Sequence, residues 1–161
     1  KVVVMHDGRV VQMGTPQDLF EVPAHTFVGY FIGSPGMNLL QGQPVETATG
    51  LALDLGPLGQ TPPLSEPQVA ALRQAQADVV YGFRPELVAL VPEGQGMAMP
   101  ITFVERIGAR TILHLGQGSA SAKVVLENDA GLQTGQVLHF APLPHAIRLF
   151  EAASGIALKG A

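Results

Sequence analysis

Gly82-Phe83-Arg84-Pro85-Glu86 is the one compact run of mixed chemistry in this 161-residue sequence. A glycine at a strand end permits close backbone approach, a proline fixes the bend after it, and a guanidinium two residues from a carboxylate can pair with it across the corner. The run reads either as a structural corner or as a contact for an interface or an effector. Glu105, Arg106 and Arg110 flank Ile107-Gly108-Ala109 in a similar way. They read as a solvated strand end or a surface ion pair.

Other chemistries lack the spacing they need. No Gly-x-x-x-x-Gly-Lys-Ser/Thr sequence occurs, so the chain holds no P-loop to cradle phosphates. Gly94-Gln95-Gly96 and Gly116-Gln117-Gly118 lack the third glycine of a dinucleotide fingerprint and read as hairpin turns. The five histidines, His6, His25, His114, His139 and His145, show no His-x-x-x-His pair and no adjoining acidic cluster, so no metal is expected. His114 shares a strand face with Ile112 and reads as a half-buried side chain with one hydrogen-bond partner. Ser34, Ser65, Ser119, Ser121 and Ser154 lack a nucleophile elbow, which leaves acyl transfer without support. No catalytic, cofactor-binding or metal residues are expected.

The elements that position these residues are mostly strands. Two β-branched runs, 2–5 and 10–13, separated by His6-Asp7-Gly8-Arg9 predict an opening hairpin. Thr15-Pro16-Gln17-Asp18 predicts a capped short helix, which Pro23 ends. Ala24, Phe27, Val28, Phe31 and Ile32 then keep helical spacing up to Gly33. Four of the nine aromatic residues, Phe20, Phe27, Tyr30 and Phe31, fall within these twelve positions, and that density predicts a face made to pack against something larger. Ser34-Pro35-Gly36 reads as a linker. Beyond it, strands are expected at 37–41, 51–55, 79–84, 97–106, 110–115, 120–126, 137–141 and 146–150, enough for a barrel. One helix interrupts: Ser65-Glu66-Pro67-Gln68 is a capping-box pattern, followed by Val69, Ala71, Leu72, Ala75 and Gln76.

Composition narrows the class further. The 47% hydrophobic fraction supports a core, while 19 glycines and 13 prolines in a chain only 14% charged predict short strands joined by tight turns. A net charge of −4 with scattered basic residues argues against a nucleic-acid partner. Zero cysteines remove disulfides, thiolate metal sites and cysteine nucleophiles. With no apolar run long enough to span a bilayer, a soluble cytosolic protein is expected. Lys1-Val2-Val3-Val4-Met5 reads as a strand already under way, so the chain is expected to be a piece of a longer one.

Residues 5–16, Pro23-Ala24-His25-Thr26-Phe27-Val28 and the run from Phe31-Ile32-Gly33-Ser34-Pro35-Gly36 to Met37-Asn38-Leu39-Leu40 resemble the post-catalytic part of ABC-importer ATPases of the carbohydrate-uptake branch, the maltose and glycerol-3-phosphate type. Gly82-Phe83-Arg84-Pro85-Glu86 is similar to that branch's Gly-x-Arg-Pro-Glu element, and 104–108, 111–115 and 145–151 resemble its later strands. Arg148 departs from the family pattern at a position that often precedes His-Leu-Phe. The resemblance implies a mainly β chain: residues 1–35 as the remnant of a nucleotide-binding domain, residues 36–161 as a transport-associated OB-type β-barrel regulatory domain. It further implies that ATP hydrolysis, with ATP and Mg as cofactors, resides in a parent's N-terminal domain and not in this segment. Implied partners are a second copy, permease subunits reached through the parent, and in some members a regulatory protein. The implied location is the cytoplasmic face of the cell membrane. Gly82, Arg84, Pro85 and Glu86 are then candidates for a structural or regulatory-interface role. The alternative from another class is an oxyanion- or small-ligand-sensing domain.

Overall fold

A computed structural model describes residues 1–75, 78–128 and 131–160. Gln76 of the expected helix pattern, and Asp129 and Ala130 of an expected turn, lie outside the described residues. The chain opens with β1 (Val2–His6) and β2 (Arg9–Gly14), paired antiparallel. Asp7 at φ 49° and Gly8 at φ 73° give the two consecutive positive dihedrals of a tight hairpin turn. Two short helices follow, α1 (Pro16–Glu21) and α2 (Thr26–Phe31). Thr15 caps α1: its hydroxyl accepts from the Asp18 amide, and the Asp18 carboxylate accepts from the Thr15 amide. Helix α2 is shorter than its apolar pattern predicts, because His25 is extended and bridges to Ile156 while the Ala24 carbonyl accepts from the Ala157 amide.

The remainder is antiparallel β-structure. Strands β3 (Asn38–Thr47), β4 (Gly50–Asp54), β5 (Val79–Phe83) and β11 (Arg148–Glu151) form a sheet in the order β11-β5-β3-β4. Strands β6 (Val88–Leu90), β7 (Met97–Ile107), β8 (Arg110–Gln117), β9 (Ala120–Leu126) and β10 (Val137–Pro142) form a second, in the order β6-β10-β7-β8-β9. Helix α3 (Glu66–Gln74) joins β4 to β5, with the Gln68 side chain accepting from the Ser65 amide at its start. A large apolar cluster, including Tyr81, Phe83, Leu113 and Phe140, is shared between the sheets.

Three expectations change. Nine strands rather than eight follow Met37 among the described residues, because Val88–Leu90, three residues long, pairs with β10. Strand β3 continues past Gly42 through Pro44. Its pairing with β5 ends at Gly42 and its pairing with β4 begins at Gln43, so the missing proline N–H falls on a strand paired on one side only. The expected strand at 146–150 starts at Arg148 instead, since Pro144–Ala146 is a 3-10 turn.

Asn38 closes the gap between the sheets. Its amide nitrogen donates to the Lys123 carbonyl at 2.8 Å, and its amide oxygen accepts from the Lys123 N–H at 2.7 Å. One side chain thus stands in for a peptide group between β3 and β9. Next to it, the Val125 N–H donates to the Pro85 carbonyl at 2.9 Å.

Candidate functional site

Each residue of the Gly82 to Glu86 run has a separate destination. Gly82 lies between Leu39 of β3 and Arg148 of β11, and a Cβ there would fall 2.8 Å from Phe150 and 2.9 Å from the Met37 sulfur. Phe83 points into the barrel, 5.9 and 6.1 Å from the Tyr81 and Phe140 rings. The Pro85 carbonyl takes the bond from β9. Glu86 is half-buried, and its Oε2 is enclosed without a hydrogen-bond partner among the described residues.

Arg84 turns the other way, toward the helices. It is 2% exposed, and its guanidinium lies 4.1 Å above the Phe20 ring. Nε and Nη2 donate to the Phe20 carbonyl at 3.2 and 2.7 Å, and Nη1 donates to the Gly29 carbonyl at 2.8 Å and to the Ile32 carbonyl. These oxygens belong to the last turns of α1 and α2, where helix carbonyls lack partners and the peptide dipoles concentrate negative charge. The expected pairing with Glu86 is not made as an ion pair. Burial lowers the Arg84 pKa to about 10, with the Glu86 charge opposing that shift and the Arg148 charge adding to it.

Arg148 repeats the arrangement one strand away. Its Nε donates to the Glu21 carbonyl at 3.1 Å, and Nη1 donates to the carbonyls of His145 and Ile147. Burial lowers its pKa too, partly offset by Glu21. The 154–157 loop makes a third tie: Thr26 N–H donates to Gly155 O at 2.8 Å, and Ala157 N–H to Ala24 O at 3.0 Å. His25 sits between, its Nδ1 accepting from the Phe27 amide and its Nε2 donating to the Ser154 carbonyl. Both ring nitrogens are therefore engaged.

The Ser34-Pro35-Gly36 stretch, expected as a linker, is packed. A Cβ on Gly36 would lie 2.1 Å from the Tyr30 carbonyl, and the Met37 amide donates to the Gly29 carbonyl at 3.0 Å. Met37 is 3% exposed and clusters with Val80 and Phe150, separately from the barrel core. Its sulfur is held between Gly29 and Gly82. Sequence reasoning met Met37, Asn38 and His25 only within family-like runs or among the histidines, without a role for any of them, and noted Arg148 only as a departure; a charged residue in the apolar Ile147-Arg148-Leu149-Phe150 run was the available signal.

Elsewhere, His114 Nε2 meets Glu105 Oε2 at 3.2 Å, and its ring stands edge-on to Phe103. A groove of about 720 Å³ runs between α2 and β8–β9, lined by Tyr30, Phe31, Thr102, His114, Ser121 and Lys123 among others. Among the described residues no group of three or more His, Asp or Glu could hold a metal ion, and no helix is long and apolar enough to cross a membrane.

Three curated relatives align with nearly all of the chain. An uncharacterised ABC transporter ATP-binding protein of Sinorhizobium fredii is 33% identical over 99% of it. The sn-glycerol-3-phosphate import ATP-binding proteins UgpC of Bordetella pertussis and Jannaschia sp. are 36% identical over 99% and 33% over 96%. The chain corresponds to the C-terminal part of ABC-importer ATP-binding subunits. It spans 41, 44 and 41% of the length of these three relatives, in the same order. No family model matches the chain. Among solved structures, the cytoplasmic molybdate-binding protein ModG is similar with a TM-score of 0.50 at 16% identity, covering 70% of this chain and 94% of that one. That likeness concerns fold, and it agrees with the expected mainly β, OB-type architecture.

Proposed function

We propose that this ABC-importer segment is a regulatory and dimerisation module, built from residues 36–161, with residues 1–35 forming the trailing edge of a nucleotide-binding domain. The parent would import sugars or glycerol-3-phosphate-like solutes. ATP and Mg would act in its N-terminal domain, with this chain holding subunits together while those domains open and close. Alignment of nearly the whole chain with the C-terminal part of such subunits carries the reading. The exposed apolar side chains of the first 35 residues support the assignment of that segment. Met5, Val10 and Met13 on the hairpin are 58, 60 and 61% exposed, and Tyr30 and Phe31 are 67 and 65% exposed, a surface suited to a domain body. Permease subunits, a regulatory protein and a place at the cytoplasmic membrane face follow from the same reading. Analytical ultracentrifugation of the 161-residue chain is the test: a concentration-dependent dimer is expected, and a strict monomer at high concentration refutes self-pairing through these residues.

The second reading is oxyanion or small-ligand sensing, and the groove containing Ser121 and Lys123 favours it. Against it, the Lys123 amide that could cradle an anion is already bonded to Asn38. Calorimetric titration with molybdate, inorganic phosphate and glycerol-3-phosphate separates the two, since saturable heat with any of them supports sensing.

A further inference from the structure

We propose that Arg84, seconded by Arg148, is an internal lock that makes residues 15–37 and the β-barrel one rigid body, so that the 34–36 connection is not a hinge. On this view Arg84 is a positioning residue: motion entering the helices passes to the barrel through its guanidinium. Only that last step rests on the transporter reading above; the lock stands without it.

The charge of Arg84 is buried with no carboxylate in ion-pair range among the described residues, an arrangement that persists only where other groups compensate it. Here the compensation comes from the carbonyls of Phe20, Gly29 and Ile32, which belong to two different helices. A single planar group therefore fixes the ends of α1 and α2 relative to each other and to β5. Arg148 holds the adjacent carbonyl of Glu21 from β11, and Met37, held between Gly29 and Gly82, fills the remaining space. A rotation at 34–36 would break the Arg84 bonds, drive the Gly36 Cα toward Tyr30 and separate Ala24 and Thr26 from the 154–157 loop. Lysine carries the charge and three donors, but they radiate from one nitrogen rather than from a planar fork, so it cannot reproduce the spread of bonds from Nε, Nη1 and Nη2.

The chain has no cysteine, which makes paired spin labels clean. Labels at Gln17→Cys on α1 and Arg110→Cys at the start of β8 would report one narrow distance distribution in the wild-type background. Arg84→Gln is expected to broaden it. Amide exchange between Phe20 and Ile32 should accelerate on the order of tenfold to a hundredfold, while amides of β5, β8 and β10 keep their protection. Arg84→Lys should recover the melting temperature but not the narrow distribution. A broad wild-type distribution overturns the lock. So does an Arg84→Gln chain with unchanged distribution and exchange, or one whose barrel loses protection together with the helices or fails to fold, which would make Arg84 part of the common core. A chain that never dimerises or serves a transporter would leave all these readouts as expected, so failure of the functional reading is separable from failure of the lock.

Discussion

Phe83 and Arg84 are consecutive and almost equally buried, at 0 and 2% exposure, yet they hold two regions by opposite means. Phe83 packs in the barrel among aromatic and aliphatic side chains, where the stabilisation is non-directional and scales with the apolar area removed from water. Arg84 faces a junction with a much smaller apolar cluster, Met37, Val80 and Phe150, and holds it by hydrogen bonds from guanidinium to carbonyl and by its stack on Phe20. The barrel contacts depend on volume and have no preferred direction. The junction bonds depend on direction as well, because a hydrogen bond to a fixed carbonyl weakens steeply as its angle falls toward about 120°. One turn of the chain thus separates a region specified by volume from one specified by geometry.

The sharpest way to break this contrast is Phe140→Ala in the barrel. Loss of a fully buried ring between the sheets should cost about 3–5 kcal/mol in denaturant unfolding and take the junction with it, since the barrel is the junction's platform. Next is Gly36→Ala, whose Cβ would lie 2.1 Å from a backbone oxygen that only a main-chain shift can relieve. A loss of roughly 1–3 kcal/mol is expected, with faster amide exchange confined to 20–37 and the barrel amides unchanged. Equal loss in both regions would erase the contrast.

Thr15→Ala has a smaller, local effect of about 1 kcal/mol on α1, from loss of its cap. It also changes the acid response. The Thr15 amide and hydroxyl hold the Asp18 pKa below its ordinary 3.8. That stability is present above the ordinary value and disappears as pH falls through the lowered one, so the variant's unfolding curve should be flatter in acid. Smallest is Tyr81→Phe. Burial raises the Tyr81 pKa well above 10.0, and its hydroxyl has no partner among the described residues. Removing the hydroxyl should leave stability unchanged or raise it by up to about 1 kcal/mol. The wild type should lose stability as pH rises above 10, where only the unfolded phenol ionises, and the variant should lose less.

Local chemistry made much of the fold legible. Asp7-Gly8 announces the hairpin, Thr15-Pro16 with Asp18 the first helix, and Ser65-Glu66-Pro67-Gln68 the third, because turns and caps are written within four residues. The junction was not legible. The partners of Arg84 are backbone oxygens 52 to 64 positions away, and a carbonyl has no residue type to read. Glu86, two positions on, was the only local candidate, and nothing in the sequence ranks it below three distant carbonyls. Ser34-Pro35-Gly36 misled for the same reason: turn residues specify a backbone path, not whether that path is packed.

The ties that dock the helices reach unusually far along the chain: Arg148 to Glu21 spans 127 residues and His25 to Ser154 spans 129. A ribosome makes the helices well before these partners, at a pace of about 5–20 residues per second. For the several seconds between, the carbonyls of the helix ends and the flank of Met37 wait without their permanent contacts. The same lateness makes β11 a checkpoint, because a product truncated before Arg148 keeps its hairpin and helices but has lost two of the ties that seat them, leaving a loose end for a protease to find.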